Sequence, residues 1–186
     1  LSRTTGDGYI NGTQFEGSNY FIALGYKPND KHDFQFTFTG APQWHHQRST
    51  APTIAQYLAS GNGEPNLRYN RDWGYLNGQE FNVNRNFYHK PVASLNWDYK
   101  INDKTKLSAI IYGSWGRGGG ASAWGKANNL NFNDDRWRTG VNGIVDYDKI
   151  YAYNSGQTVS LPTNGNFTAF TNVTRAKVGG QYVNTA

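Results

Sequence analysis

Apolar residues recur at every second position through two stretches of this chain, each divided by a short Asn-Asp-Lys turn. In the first, Tyr20, Ile22, Leu24 and Tyr26 precede the turn, and Phe34, Phe36 and Phe38 follow it. In the second, Leu95, Trp97 and Tyr99 precede the turn, and Leu107, Ala109 and Ile111 follow it. A period of two puts every such set on one side of a strand. The pattern therefore predicts two β-hairpins, with strands at about 15–27 and 31–41, and at about 87–101 and 105–116. The hairpins are copies. Tyr26, Lys27, Asn29, Asp30, Lys31 and Gly40 recur 73 residues later as Tyr99, Lys100, Asn102, Asp103, Lys104 and Gly113.

The turns fix the expected pairing. Tyr26 opposite Phe34 sets Leu24 on Phe36 and Ile22 on Phe38, while Tyr99 opposite Leu107 sets Trp97 on Ala109 and Leu95 on Ile111. The apolar sets then share one side of each ribbon. The other side carries Lys27, Asp33, Gln35, Thr37, Ser94, Asn96, Asp98, Lys100 and Ser108, with Phe21, Ile110 and Tyr112 as exceptions. Covering the roughly fourteen apolar side chains is worth on the order of 20–40 kcal/mol, so something must cover them. A second sheet would do so in a soluble sandwich. Lipid would do so in a membrane barrel, with the polar side lining the lumen. No second set of strands is as clear as these, which favours lipid and makes Ile22, Leu24, Phe34, Phe36, Phe38, Leu95, Trp97 and Ile111 the lipid-facing residues.

Composition agrees with strands and polar loops. Aromatic residues make up 16% of the 186, Gly and Asn each number 22, and mean hydropathy is −0.76. No apolar run approaches the ~20 residues of a membrane helix, so only strands could cross a bilayer. The absence of cysteine excludes disulfides and thiolate metal sites. There is no methionine and no signal peptide at Leu1, as expected of an internal piece or a mature product. The net charge of +5 is scattered along the chain, whereas nucleic acid calls for a basic stripe, so no nucleic-acid partner is expected.

The hairpins alternate with long Asn- and Gly-rich stretches at about 42–86 and 117–178, and Gln181-Tyr182-Val183 suggests a further strand. Short turns on one side and long loops on the other are the asymmetry of outer-membrane barrels, with short periplasmic turns and long extracellular loops. Tyr26, Trp97 and Tyr99 lie beside the short turns, and Trp44, Tyr88 and Trp115 at the far strand ends, as two interfacial girdles require. The expected fold is all-β, an antiparallel transmembrane β-barrel segment of about four to five strands.

Five segments occur in the same order as in TonB-dependent outer-membrane receptors of Bacteroidota, which the chain resembles over most of its length. They are Gly6-Asp-Gly-Tyr9, Gly40-Ala-Pro-Gln-Trp-His-His-Gln-Arg48, Trp73-Gly-Tyr-Leu-Asn-Gly78, Asn86-Phe-Tyr-His-Lys-Pro91 and Gly116-Arg-Gly-Gly-Gly120. The resemblance implies a barrel of about 22 strands around an N-terminal plug. It also implies energy delivered by TonB, and import of a metal chelate, cobalamin, a glycan or a peptide, in some members under a surface lipoprotein lid. The chain holds no plug sequence, so it is expected to be a piece of barrel wall in the bacterial outer membrane. Its partners would be lipid, the remainder of the barrel and the plug, and TonB through the parent protein. The alternative is a soluble, aromatic-rich β-domain that binds carbohydrate.

Candidate ligand contacts are Trp44, His45, Arg48, Trp73, Tyr75, Arg117 and Trp124: flat rings that stack on apolar ligand faces, and cations that hold carboxylate or phosphate. The competing reading is loop-on-loop packing with solvated charge. His45 and His46 point apart on an extended chain, so no metal site is expected. Asp134-Asp135 and Asp146-Tyr147-Asp148 lack calcium-loop spacing. No nucleophile–base arrangement or phosphate loop is present, so neither an enzyme nor a cofactor is expected.

Overall fold

The computed structural model describes residues 1–61, 63–141 and 143–182. It is predominantly β, 50% strand against 9% helix, with mainly antiparallel pairing and no closed barrel among the described residues. The elements in order are β1 (Ser2–Gly6), β2 (Phe15–Asn29), β3 (His32–Gly40), β4 (Gln43–His46), α1 (Ile54–Ala59), β5 (Trp73–Leu76), β6 (Gln79–Asn82), β7 (Arg85–His89), β8 (Val92–Asn102), β9 (Thr105–Ser114), β10 (Arg117–Ala121), a 3-10 turn (Asp135–Trp137), β11 (Val145–Asp146), α2 (Tyr147–Asn154), β12 (Val159–Pro162), β13 (Phe170–Val173), β14 (Lys177–Val178) and β15 (Gln181–Tyr182). Val183 of the expected last strand lies outside the described residues. Two compact units result. The first comprises Leu1–Gly6, Phe15–His45 and Asn86–Gly120, and the second comprises Asp7–Gln14, His46–Arg85 and the chain from Ala121 onward.

The first unit is an open antiparallel sheet. Its hairpins have the register that alternation predicts: Ile22↔Phe38, Leu24↔Phe36 and Tyr26↔Phe34 in one, and Leu95↔Ile111, Trp97↔Ala109 and Tyr99↔Leu107 in the other. They join through β3 and β8, with Phe34↔Trp97 and Phe36↔Leu95. Four strands thus put their apolar residues on one continuous face. Asn29 and Asn102 do the same work at the repeated turns. The Asn29 Oδ1 accepts from the N–H groups of Lys31 at 2.9 Å and His32 at 3.1 Å, and the Asn102 Oδ1 accepts from Lys104 N–H at 2.9 Å.

The expected strand at 87–101 is interrupted. It forms as β7 and β8, broken at Lys90-Pro91, because proline has no N–H to give the ladder. Similar breaks separate β3 from β4 at Ala41-Pro42 and β9 from β10 at Trp115-Gly116. The lines continue across them. Tyr20↔Gly40 and Gly17↔Gln43 keep one register, and Pro42 and Pro91 still accept from Ser18 and Trp115 through their carbonyls. Since β7 pairs with β4 and β10 with β7, the eight-stranded sheet among the described residues reads as four long lines, with the short β1 along the free side of β2.

The apolar face of this sheet is exposed at Ile22, Leu24, Tyr26, Phe36, Leu95, Leu107 and Ile111, with Ile111 73% accessible. Phe34, Phe38 and Trp97 are half-buried among their neighbours. Beside the short turns His32 stacks on Tyr99 at 4.5 Å and on Trp97 at 5.9 Å, Phe34 stacks on Trp97 at 6.1 Å, and Trp97 Nε1 donates to His32 Nδ1 at 3.1 Å. At the far end Phe38 packs against Tyr20 at 5.2 Å and Trp115 at 6.1 Å, and the Tyr20 hydroxyl bonds His89 Nε2 at 2.9 Å. Polar pairs hold the opposite face: Thr37 with Ser94 at 2.7 Å, and Lys106 with Asp98 at 3.0 Å.

The stretches expected as long loops at 42–86 and 117–178 carry short elements of their own, among them α1, β5 and β6 in the first and β11, α2, β12 and β13 in the second. In the second stretch Leu130, Trp137, Tyr153, Val159 and Leu161 form a buried cluster, and the parallel pairing of β11 with β5 and the Phe81–Tyr147 ring contact tie the first stretch to the second. Their strands are two to four residues long, too short for alternation to register in the sequence.

Candidate functional site

In the second unit, side chains replace the backbone ladders that such short strands cannot supply. Asn70 and Asp72 are 0% exposed, and Asn82 and Asn84 nearly so. One oxygen of the Asp72 carboxylate accepts from Ser49 N–H at 2.7 Å, Ser49 Oγ at 2.9 Å and Thr50 N–H at 3.0 Å, and the other accepts from Asn133 Nδ2 at 3.2 Å. Asn82 Nδ2 donates to the carbonyls of Gly12 at 3.0 Å and Gln47 at 2.8 Å. Asn84 donates to Ser49 Oγ and accepts from Ser122 Oγ. Four donors answer the two carboxylate oxygens, and hydrogen bonds to a buried polar group are what make its burial tolerable.

This network fixes one wall of a pocket. Tyr147 opens α2, and its hydroxyl donates to the Asp72 carbonyl at 2.6 Å. Burial pushes the Tyr147 phenol above its ordinary range, so the ring stays neutral. Phe81 on β6 meets it edge-on at 4.8 Å, and Phe132 stacks at 6.5 Å. Gly74 on β5 allows the approach of β11 that brings Tyr147 here, because a Cβ there would overlap the Val145 carbonyl. These rings, with Val83, Trp124 and Ile150, line an open-sided pocket of about 430 Å³. That volume suits a small ligand. Lys126 and Arg175 stand on the lining, whose described residues include no acidic side chain.

Of the residues singled out from the sequence, only Trp124 lines this pocket; its indole is 95% exposed. Trp73 and Tyr75 come together elsewhere on β5, with ring centroids 5.8 Å apart. Arg48 donates to the Tyr57 hydroxyl at 2.7 Å. Arg117 begins β10 and is exposed. Trp44 faces Glu16 across β2 and β4, which gives it the face of Tyr20, while His45 faces Phe15 on the other side. In the two acidic pairs Asp134 and Asp146 act as local caps, while Asp148 reaches a distant turn. Asp134 accepts from Arg136 N–H at 3.0 Å, Asp146 from Lys149 N–H at 2.9 Å, and Asp148 from Asn77 N–H at 2.8 Å. Arg138 is buried and spends its donors on Asp135 and on the carbonyls of Gly143, Arg71 and Asn133. The pocket residues Phe81, Phe132 and Tyr147 come from separate segments and carried no shared signal. Comparison with protein-family models, curated proteins and solved structures returned no match.

Proposed function

We propose that the sheet is a stretch of outer-membrane barrel wall from a TonB-dependent receptor that imports a nutrient, with hydrocarbon against its apolar face. The observation that carries this reading is that one face of four registered strands is apolar and exposed at Ile22, Leu24, Phe36, Leu95 and Ile111. Monomeric soluble proteins rarely leave so continuous a patch open. No helix among the described residues is long and apolar enough to cross a membrane, a fact that leaves crossing by strands untouched.

Dimensions support the proposal. Eight steps of β3 run from His32, the outermost ring of one aromatic group, to Gly40, which lies opposite Tyr20 of the other. They span about 26 Å along the strand, or roughly 20 Å along the membrane normal at a tilt of about 40°, against an apolar band of about 25 Å in known barrels. Ring clusters at both ends match the interfacial girdles of such walls. The Thr37–Ser94 and Lys106–Asp98 contacts suit a wet lumen. The free sides of β1 and β9 are where the remainder of the barrel would pair, around its plug. The ordered motifs from Gly6-Asp-Gly-Tyr9 to Gly116-Arg-Gly-Gly-Gly120 support the receptor assignment, with TonB acting through the parent protein and a surface lipoprotein as a possible lid.

The test compares neighbouring residues on β3. In the parent protein reconstituted in lipid, Phe36→Arg is expected to cost about 2–4 kcal/mol, while Gln35→Arg is tolerated. Equal sensitivity at the two positions, measured by urea unfolding from vesicles, would overturn the lipid reading in favour of a soluble carbohydrate-binding β-domain.

A further inference from the structure

We infer that the pocket of the second unit is a binding site for a small molecule with a flat, apolar ring system and an anionic group. The two properties come from different residues. Phe81, Phe132 and Tyr147 form an aromatic wall, and Trp124 offers an almost fully exposed indole over the same space of about 430 Å³. Such walls favour a planar apolar body, which stacks face-on or meets ring edges. Lys126 stands exposed on the lining beside Arg175, and the described lining residues include no acidic side chain, so an anion is the complementary group. The Arg175 guanidinium is already oriented, donating to the Asn154 carbonyl at 2.9 Å and lying 5.2 Å from the Tyr182 ring.

The wall is preorganised. Tyr147 is clamped to the Asp72 carbonyl, and Asp72 is held by Ser49, Thr50 and Asn133. Little ordering is left to be done when a ligand arrives, and that favours affinity. A neutral sugar would also stack on Trp124, but it gains nothing from two cations and does not need an apolar wall. The pocket belongs wholly to the second unit, so this inference stands or falls separately from the lipid reading.

The test is isothermal titration of the full chain with 2-naphthoate, the neutral 2-naphthylmethanol and cellobiose, each corrected by a blank titration. Saturable 1:1 binding of 2-naphthoate, at least tenfold tighter than that of the alcohol, is the expected result. Trp124→Ala and Lys126→Glu should each weaken it at least tenfold, Lys126→Arg should preserve it, and Tyr151→Ala, outside the lining, should leave it unchanged. Trp124 and Lys126 are exposed, so these variants should keep the parent's far-ultraviolet circular dichroism and melting temperature. Equal affinity for acid and alcohol would overturn the anionic part. Cellobiose binding that depends on Trp124, or no binding of 2-naphthoate at millimolar concentration, would overturn the whole inference.

Discussion

At the scale of single residues, Asp72 shows how this sequence makes a core from polar parts. It is fully buried, and its carboxylate answers two backbone N–H groups, a hydroxyl and an amide. Asp72→Ala leaves the Ser49 and Thr50 N–H groups without their acceptor, and should destabilise the second unit by about 2–4 kcal/mol. The check is urea unfolding followed by the near-ultraviolet signal of buried Trp137, together with faster amide exchange at Ser49 and Thr50. Glu80 works in the opposite sense. Burial, and then the negative charge of Asp7, raise its carboxyl above the ordinary value. The ionised form is therefore less favourable in the folded chain than in the unfolded one. Its cost is present at neutral pH, shrinks as pH falls through the raised folded value, and is gone below the unfolded value of about 4.3. Glu80→Gln should raise the melting temperature at pH 7 and have no such effect at pH 3.5. Scanning calorimetry at the two pH values decides it.

At the scale of elements, the two hairpins were legible residue by residue. Alternation fixes which side chains share a face, and the Asn turns fix the pairing, so Leu24↔Phe36 and Leu95↔Ile111 follow from the sequence alone. If Asn29 and Asn102 set these registers, then Asn29→Ala, which removes one acceptor shared by two N–H groups, should cost about 1 kcal/mol. Asn102→Ala should cost a similar amount, while Asn→Asp at either site keeps the acceptor and most of the stability. Urea midpoints of the four variants give the comparison. The interruption of the third long strand was less legible. Pro91 was visible, but not that the register would carry past it; the Trp115 N–H still finds the Pro91 carbonyl.

At the scale of the whole molecule, the chain contains two kinds of order that leave different traces. The first unit repeats every two residues and announces itself. The second unit takes its order from contacts between residues far apart in sequence, such as Asn82 with Gly12 and Tyr147 with Asp72, each made by a side chain reaching a distant backbone carbonyl. Asn, Ser and Gly look the same in such a framework as in a solvated loop, which is why 42–86 and 117–178 read as loops. The pocket was hidden for the same reason. Trp124 stood out as an isolated indole, but its aromatic companions became neighbours only through the buried Asn and Asp side chains. The three ladder interruptions at Pro42, Pro91 and Trp115-Gly116 have a mechanical consequence. They fall on adjoining lines, so the sheet is scored along one row, as a card is before folding. Bending concentrates where the fewest rungs resist it, and β2, unbroken from Phe15 to Asn29, is the strip that keeps the rim beyond that row joined to the panel below.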